Sequence, residues 1–162
     1  MSNSSSPLII NGWKVFAHPL FLDQIEKAVE KVKKSQKKHP KDYQNKNPAK
    51  HLKAIRKVAF EAIPLDPARS EYRQGATLGT VNKHWFRAKF QGQYRLFFQY
   101  DTESRTIILA WVNDDKCLRA YESKTDAYAV FRKMLGKGHP PGSWDELLSE
   151  ARAETARLRQ LS

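Results

Sequence analysis

The stretch HWFRAKFQGQYRLFFQYDTESRTIILAWV, residues 84–112, constrains this chain more than any other part. Three apolar runs, at 84–90, 94–100 and 106–112, are separated only by Gln91-Gly92-Gln93 and by a polar turn that opens Asp101-Thr-Glu-Ser104. Connections this short cannot carry a crossover, so the three runs must be antiparallel neighbours in a meander. A meander cannot bury its own apolar side and requires a second layer.

Side chains two apart on a strand point the same way. On the first run Trp85, Arg87 and Lys89 therefore alternate with Phe86, Ala88 and Phe90. On the second, Arg95 is opposite in parity to Tyr94, Leu96, Phe98 and Tyr100. If Leu96 and Phe98 join the Phe86 side, Arg95 shares a face with Arg87 and Lys89; a register slip of one residue would send it to the other face. Three cations with no carboxylate between them suit a phosphate, because Arg offers a two-pronged fork and Lys a compact charge. The alternative is a solvated sheet face, which the trio together with the global charge makes the weaker reading.

The remaining chain supplies the second layer. Trp13, Val15 and Ala17 alternate with Lys14 and Phe16 as a short strand ended by His18-Pro19. Leu22, Ile25, Val29 and Val32 recur at helical spacing over 20–34, followed by the cationic connector KKSQKKHPKDYQNKN. Asn47-Pro48 is a helix start, and Leu52, Ile55, Ala59 and Ala62 form its apolar stripe up to Ile63-Pro64. Residues 64–83 are punctuated by Pro, Gly and Asn and read as a long loop. Ser123–Asp126 and Ser143–Glu146 resemble capping boxes opening two C-terminal helices, the first ending at Gly136. The expected class is α+β: a strand and two helices, then the meander, with the C-terminal helices packed on one sheet face and the other face open. Residues 1–10 are expected to be disordered and 143–162 to form a helical extension.

The chain of 162 residues carries 29 Lys and Arg against 17 Asp and Glu, a net charge of +12. That excess favours polyanionic partners such as nucleic acid, the ribosome or an acidic protein. No membrane-length apolar run and no secretory signal pattern is present, and the lone Cys117 has no disulfide partner, which together predict a cytoplasmic protein. The five His residues (18, 39, 51, 84, 139) lack metal-ligand spacing, and no Gly-x-Ser-x-Gly or Gly-rich phosphate loop occurs, so neither metal nor cofactor is expected. His84, at a strand entrance beside Lys83, is a candidate base or plain polar surface. Cys117, between Lys116 and Arg119, could gain thiolate character but has no evident base.

NGWKVFAHPLF, WFRAKF, YRLFFQY, IILAWVNDDKCLRAYESKTDAYAVFRKML and GHPP, spread in order from Asn11 to Trp144, resemble the YhaV toxins of bacterial toxin–antitoxin modules, within the RelE-like superfamily. The resemblance implies a RelE-like toxin domain over 11–142. It implies a metal-independent endoribonuclease that cleaves mRNA in association with the ribosome, and a cognate AbrB-like, swapped-hairpin antitoxin that forms a hetero-oligomer with it. Arg87 and Lys89 match the family's basic pair on one central strand, Tyr94, Arg95 and Leu96 its Tyr-Arg-Leu on the next, and Lys124 and Tyr128 its basic residue followed by Tyr. The stretch from Asn113 to Ser123 is longer than the usual connection, so Arg119 and Tyr121 compete with Lys124 and Tyr128 for those roles.

The implied chemistry is attack of an RNA 2′-hydroxyl on the adjacent phosphate. Arg87 and Arg95 would stabilise the phosphorane, Lys89 would assist the attacking hydroxyl, and Tyr128 or Tyr121 would stack a base or serve the leaving oxygen. Lys83, His84, Trp85, Tyr94, Lys116, Arg119 and Tyr121 would line the RNA path. The rival reading is a non-catalytic RNA- or ribosome-binding module, and the basic face could also hold an acidic antitoxin segment.

Overall fold

A computed structural model describes residues 6–121 and 123–162. Five strands, β1 (Leu8–Ile10), β2 (Trp13–Ala17), β3 (Phe86–Phe90), β4 (Tyr94–Asp101) and β5 (Thr106–Val112), form one mixed sheet in the order β1-β2-β5-β4-β3. The β3-β4-β5 meander is antiparallel as its short turns require, whereas β2 runs parallel to β5. The register settles the slip left open by the sequence: Arg87 pairs with Phe97 and Lys89 with Arg95, so all three cations lie on one face. Opposite Phe97 and Phe98 the ladder shifts by one residue, leaving Ala110 of β5 as a bulge.

Strand β1 falls within the segment expected to be disordered. Its pairing to β2 follows from Asn11-Gly12, both at positive φ (50° and 80°), the dipeptide that two-residue hairpins favour. The remainder of that expectation, residues 1–5, lies outside the described residues.

Both sheet faces are covered, which corrects the expected open face. On one, Val15, Leu96, Phe98, Ile107 and Leu109 pack against Phe21, Leu22 and Ile25 of α1 (Pro19–Lys38) and Leu52 and Ile55 of α2 (Asn47–Lys57). On the other, Phe16, Phe97, Ile108 and Trp111 meet Phe131 of α4 (Ala127–Gly136) and Leu147 and Ala151 of α5 (Trp144–Arg152). All seven residues of β5 are buried. The run TIILAWV already carries that message, because a strand apolar at nearly every position is covered on both sides.

Helix boundaries differ where local chemistry outweighs the pattern. Asn47 lies inside α2 with Lys46 as its cap, and the helix does not stop at Ile63-Pro64 but widens into a π turn (Val58–Ala62) and ends in a short turn, α3 (Ile63–Leu65). Ser143 does precede α5, without a side-chain capping bond. The C-terminal helix breaks at Ala153-Glu154, so that α6 (Thr155–Leu161) returns to the α1 side, where Leu158 enters the first core and Arg157 bonds Glu26 and Asp23. The 64–83 segment remains irregular but is pinned: Gln74 donates to the Asn82 carbonyl (2.9 Å) and accepts from the Leu78 amide (3.2 Å), and Leu78 is buried.

Candidate active site

The cluster is built around one phenol. Asp126 caps α4 through Oδ2, accepting from the amides of Tyr128 (3.0 Å) and Ala129 (3.3 Å). The helix thus begins three residues later than Ser123 predicts, because a carboxylate accepts two amide bonds better than a hydroxyl accepts one. Tyr128 in the first turn is delivered to the sheet, its ring edge-on to Phe97 at 5.5 Å. There its hydroxyl oxygen accepts from Arg87 Nε (2.7 Å) and Arg95 Nε (3.2 Å).

The two guanidinium groups are fixed differently. Arg87, half-buried on edge strand β3, also donates through Nη1 to the Glu71 carbonyl (2.6 Å). Arg95, on inner strand β4, is only 6% exposed and donates through Nη1 to the carbonyls of Gly92 (2.8 Å) and Tyr94 (2.9 Å). Neither has a carboxylate within 4 Å among the described residues. A cation held only by neutral acceptors is well hydrogen-bonded yet retains its charge for a ligand.

The third arginine comes from the 113–126 connection. Arg119 stacks between the rings of Tyr121 (3.8 Å) and Tyr128 (4.5 Å) and donates to Asp126 Oδ1 (2.7 Å). Burial pushes the Asp126 carboxyl up. The bonds from Arg119 and from the Ala120 and Ala129 amides outweigh this and hold it below the ordinary carboxylate range. The connection is docked on the β3–β4 turn: the Arg119 amide donates to the Gln93 carbonyl (2.9 Å). Buried Asn113 accepts from the Arg95 amide (2.7 Å) and donates to the carbonyls of Gln93 (3.1 Å) and Cys117 (2.8 Å). The two pairings that compete in the sequence are therefore mixed, with Tyr128 drawn from one and Arg119 from the other.

The other candidates divide. Lys89 is exposed opposite Arg95, beside the cluster, and Tyr121 is 81% exposed over Arg119. Lys124 and Lys83 are exposed and make no side-chain hydrogen bond or ion pair among the described residues. Trp85 is corrected from an RNA contact to a core residue: it is fully buried, edge-on to Phe131 at 5.0 Å. His84 donates from Nε2 to the Gly142 carbonyl (2.8 Å), a structural tie that fixes the ring and leaves Nδ1 as its acceptor. Tyr94 faces away from Arg95 and packs on His51 (4.3 Å) and Phe90 (5.6 Å). With Lys116 it borders a cavity of about 790 Å³ beside α1. The Cys117 thiol is buried, which with nearby Asp114 pushes it up to about 11, the reverse of activation. No three His, Cys, Asp or Glu side chains converge as metal ligands among the described residues.

Sequence reasoning missed Asn113 and the dual role of Asp126. A polar residue directly after a fully apolar strand was the available signal for Asn113; the Arg119 partnership of Asp126 has no signature along the chain.

Comparison with known proteins gives a consistent grouping. The family model for a "toxin with endonuclease activity, of toxin-antitoxin system" matches residues 15–152. The ribonuclease toxin YhaV of Escherichia coli strain K12 is 44% identical over 146 residues, covering 89% of this chain and 95% of that protein. The toxin YhaV of Escherichia coli O6:H1 is equally similar over the same span. No solved structure matches.

Proposed function

This chain belongs to the YhaV family of endonuclease toxins from toxin–antitoxin systems, and from that premise we propose that it is a metal-independent endoribonuclease that cleaves mRNA by 2′-hydroxyl attack. The observation that carries this reading is the Tyr128 oxygen held by Arg87 and Arg95. Both guanidinium groups donate to that phenol oxygen, which leaves its own O–H as the group free to donate.

A phosphate seated at this face meets Arg87 first, because Arg87 lies on the edge strand and is the less buried of the two. Its guanidinium stabilises the charge that accumulates on the phosphorane. Arg95, buried and bonded to the turn carbonyls, acts chiefly as a positioning residue that fixes Tyr128. Tyr128 donates toward the leaving 5′ oxygen. Lys89, as a cation on the same face, stabilises the developing 2′ alkoxide while the proton passes to solvent water. Tyr121, stacked on Arg119 and open to solvent, offers a platform for an unpaired base. The products are a 2′,3′-cyclic phosphate and a 5′-hydroxyl. In this reading the enzyme acts in association with the ribosome, and a cognate AbrB-like antitoxin neutralises it in a hetero-oligomer that covers this cationic face.

The test is to map RNA 5′ ends after exposure to wild type and to Arg87→Ala, with and without assembled ribosomes. Defined 5′-hydroxyl ends with wild type alone are expected. Undiminished cleavage by folded Arg87→Ala would overturn the role of Arg87. Salt-sensitive RNA binding with no new ends would instead select the non-catalytic module.

A further inference from the structure

The charge of this protein is not where its candidate active site is. Residues 27–57 contain twelve Lys and Arg against two carboxylates, Glu30 and Asp42, so this segment holds ten of the twelve net positive charges of the chain. It comprises the outer part of α1, a 3₁₀ turn (Tyr43–Asn45) and α2, all on the sheet face opposite the Arg87–Tyr128–Arg95 cluster. Within the segment, and among the described residues, only Lys31, Lys33 and Lys46 have a carboxylate within 4 Å.

The cations are ordered by the helices that carry them. Phe21, Leu22, Ile25 and Ala28 fix the inner side of α1. Lys27, Lys31, Lys34 and Lys38, all exposed, recur at spacings of four, three and four on the outer side, a rail on the order of 16 Å long at 1.5 Å per residue. On α2, Leu52 and Ile55 face the core, and exposed Lys50, Lys53 and Lys57 recur at three and four on the outside. Paired helices lie about 8–10 Å apart, so the two rails run side by side.

The chemistry of the rails selects their ligand. Apart from Arg56 every cation is a lysine, a point charge on a flexible stem that recognises phosphate without fixing its orientation. No large hydrophobic residue of this segment is exposed, and the cavity of about 790 Å³ beside α1 is rimmed by Asp23, Glu26, Asp114 and Asp115 as well as by lysines, which disfavours an acidic protein segment as its occupant. We propose that the α1–α2 hairpin is a second RNA-binding surface, one that docks the phosphate backbone of folded, double-stranded RNA while the opposite face receives the strand to be cut. The surface goes beyond the cleavage reading and does not depend on it.

The experiment measures binding of a short blunt-ended RNA duplex by full-length wild type and by Lys34→Gln/Lys38→Gln/Lys50→Gln/Lys53→Gln, across a salt series. The matching Lys→Arg variant keeps the charge and controls for folding. Four lost phosphate contacts are expected to weaken duplex binding about tenfold or more near 100 mM salt and to flatten the log–log salt slope by roughly 0.9 per contact. The Lys→Arg variant should bind as wild type does, and cleavage of a short single-stranded RNA should be unchanged. An unaltered duplex affinity and slope in the Gln variant would overturn the proposal. So would tighter binding of a poly-glutamate peptide than of the duplex, which would mark the hairpin as a site for an acidic protein. Because the readout is binding, it stands even if wild type cuts no RNA.

Discussion

Two cationic regions lie on opposite sides of one sheet, and they are built from different residues for different physical ends. On the Phe97 side, three arginines are each fixed by named acceptors, stacked or buried, around a single tyrosine. On the other, lysines stand on helix exteriors with their ammonium groups in solvent. The first arrangement spends its charge locally: the groups are oriented before a ligand arrives, which favours a transition state over mere attachment. The second creates a field, strong in sum and indifferent to detail, which attracts a polyanion without shaping it. Net charge alone does not distinguish the two, and most of it belongs to the region with no candidate catalytic residue.

The sharpest test of that contrast is Arg87→Ala, expected to lower RNA cleavage by about 10²–10³ while leaving duplex binding intact, read by end mapping beside anisotropy. Asp126→Ala removes both the α4 cap and the partner of Arg119. It should destabilise the fold by about 3 kcal/mol in denaturant titration, since it strands a largely buried cation. Because the folded Asp126 carboxyl sits below its unfolded value, its contribution is present above about pH 4 and is lost as pH falls through and below that range. The penalty of Asp126→Ala should therefore shrink between pH 6 and pH 3, and a penalty constant with pH would mean the carboxylate charge contributes nothing. Tyr128→Phe keeps the ring against Phe97 but deletes the hydroxyl. We expect cleavage to fall about tenfold to a hundredfold with RNA affinity little changed, the split that separates a proton donor from a binding contact. Smallest of all, thiol alkylation of Cys117 should be negligible at pH 8 and rise only toward pH 11, with neither cleavage nor duplex binding affected in the folded protein.

What could be read from the chain follows the range of the interactions involved. The meander was legible because its turns are too short for any alternative; strand parity put Arg87 with Lys89, whereas Arg95 joins them through a register that parity left open. The parallel pairing of β2 with β5 was not legible, since nothing local to Trp13–Ala17 names its distant neighbour. Trp85 shows the limit of parity. It flanks Arg87 with the right alternation, yet Phe131 and Leu78 close over it, a fact set by the α4 and 64–83 segments. The meeting of Arg119 with Tyr128 depends on the path of an irregular connection, which Asn113 and Gln93 fix through backbone atoms and which no periodicity records.

The position of β5 also sets a timetable. Its partners include β2, close to the start of the chain, and β4, just before it, so Lys14 waits for Thr106 before the sheet can close. Tyr128 and Asp126 lie later still. During synthesis the chain is therefore committed almost to its end before the arginines acquire the tyrosine that orders them, because long-range pairings form only after the intervening loop closes. The α1–α2 hairpin waits as well, because its apolar side packs on β4 and β5 and α6 bonds back to α1. Both cationic surfaces are thus finished only once the sheet closes, and a partly made chain carries neither.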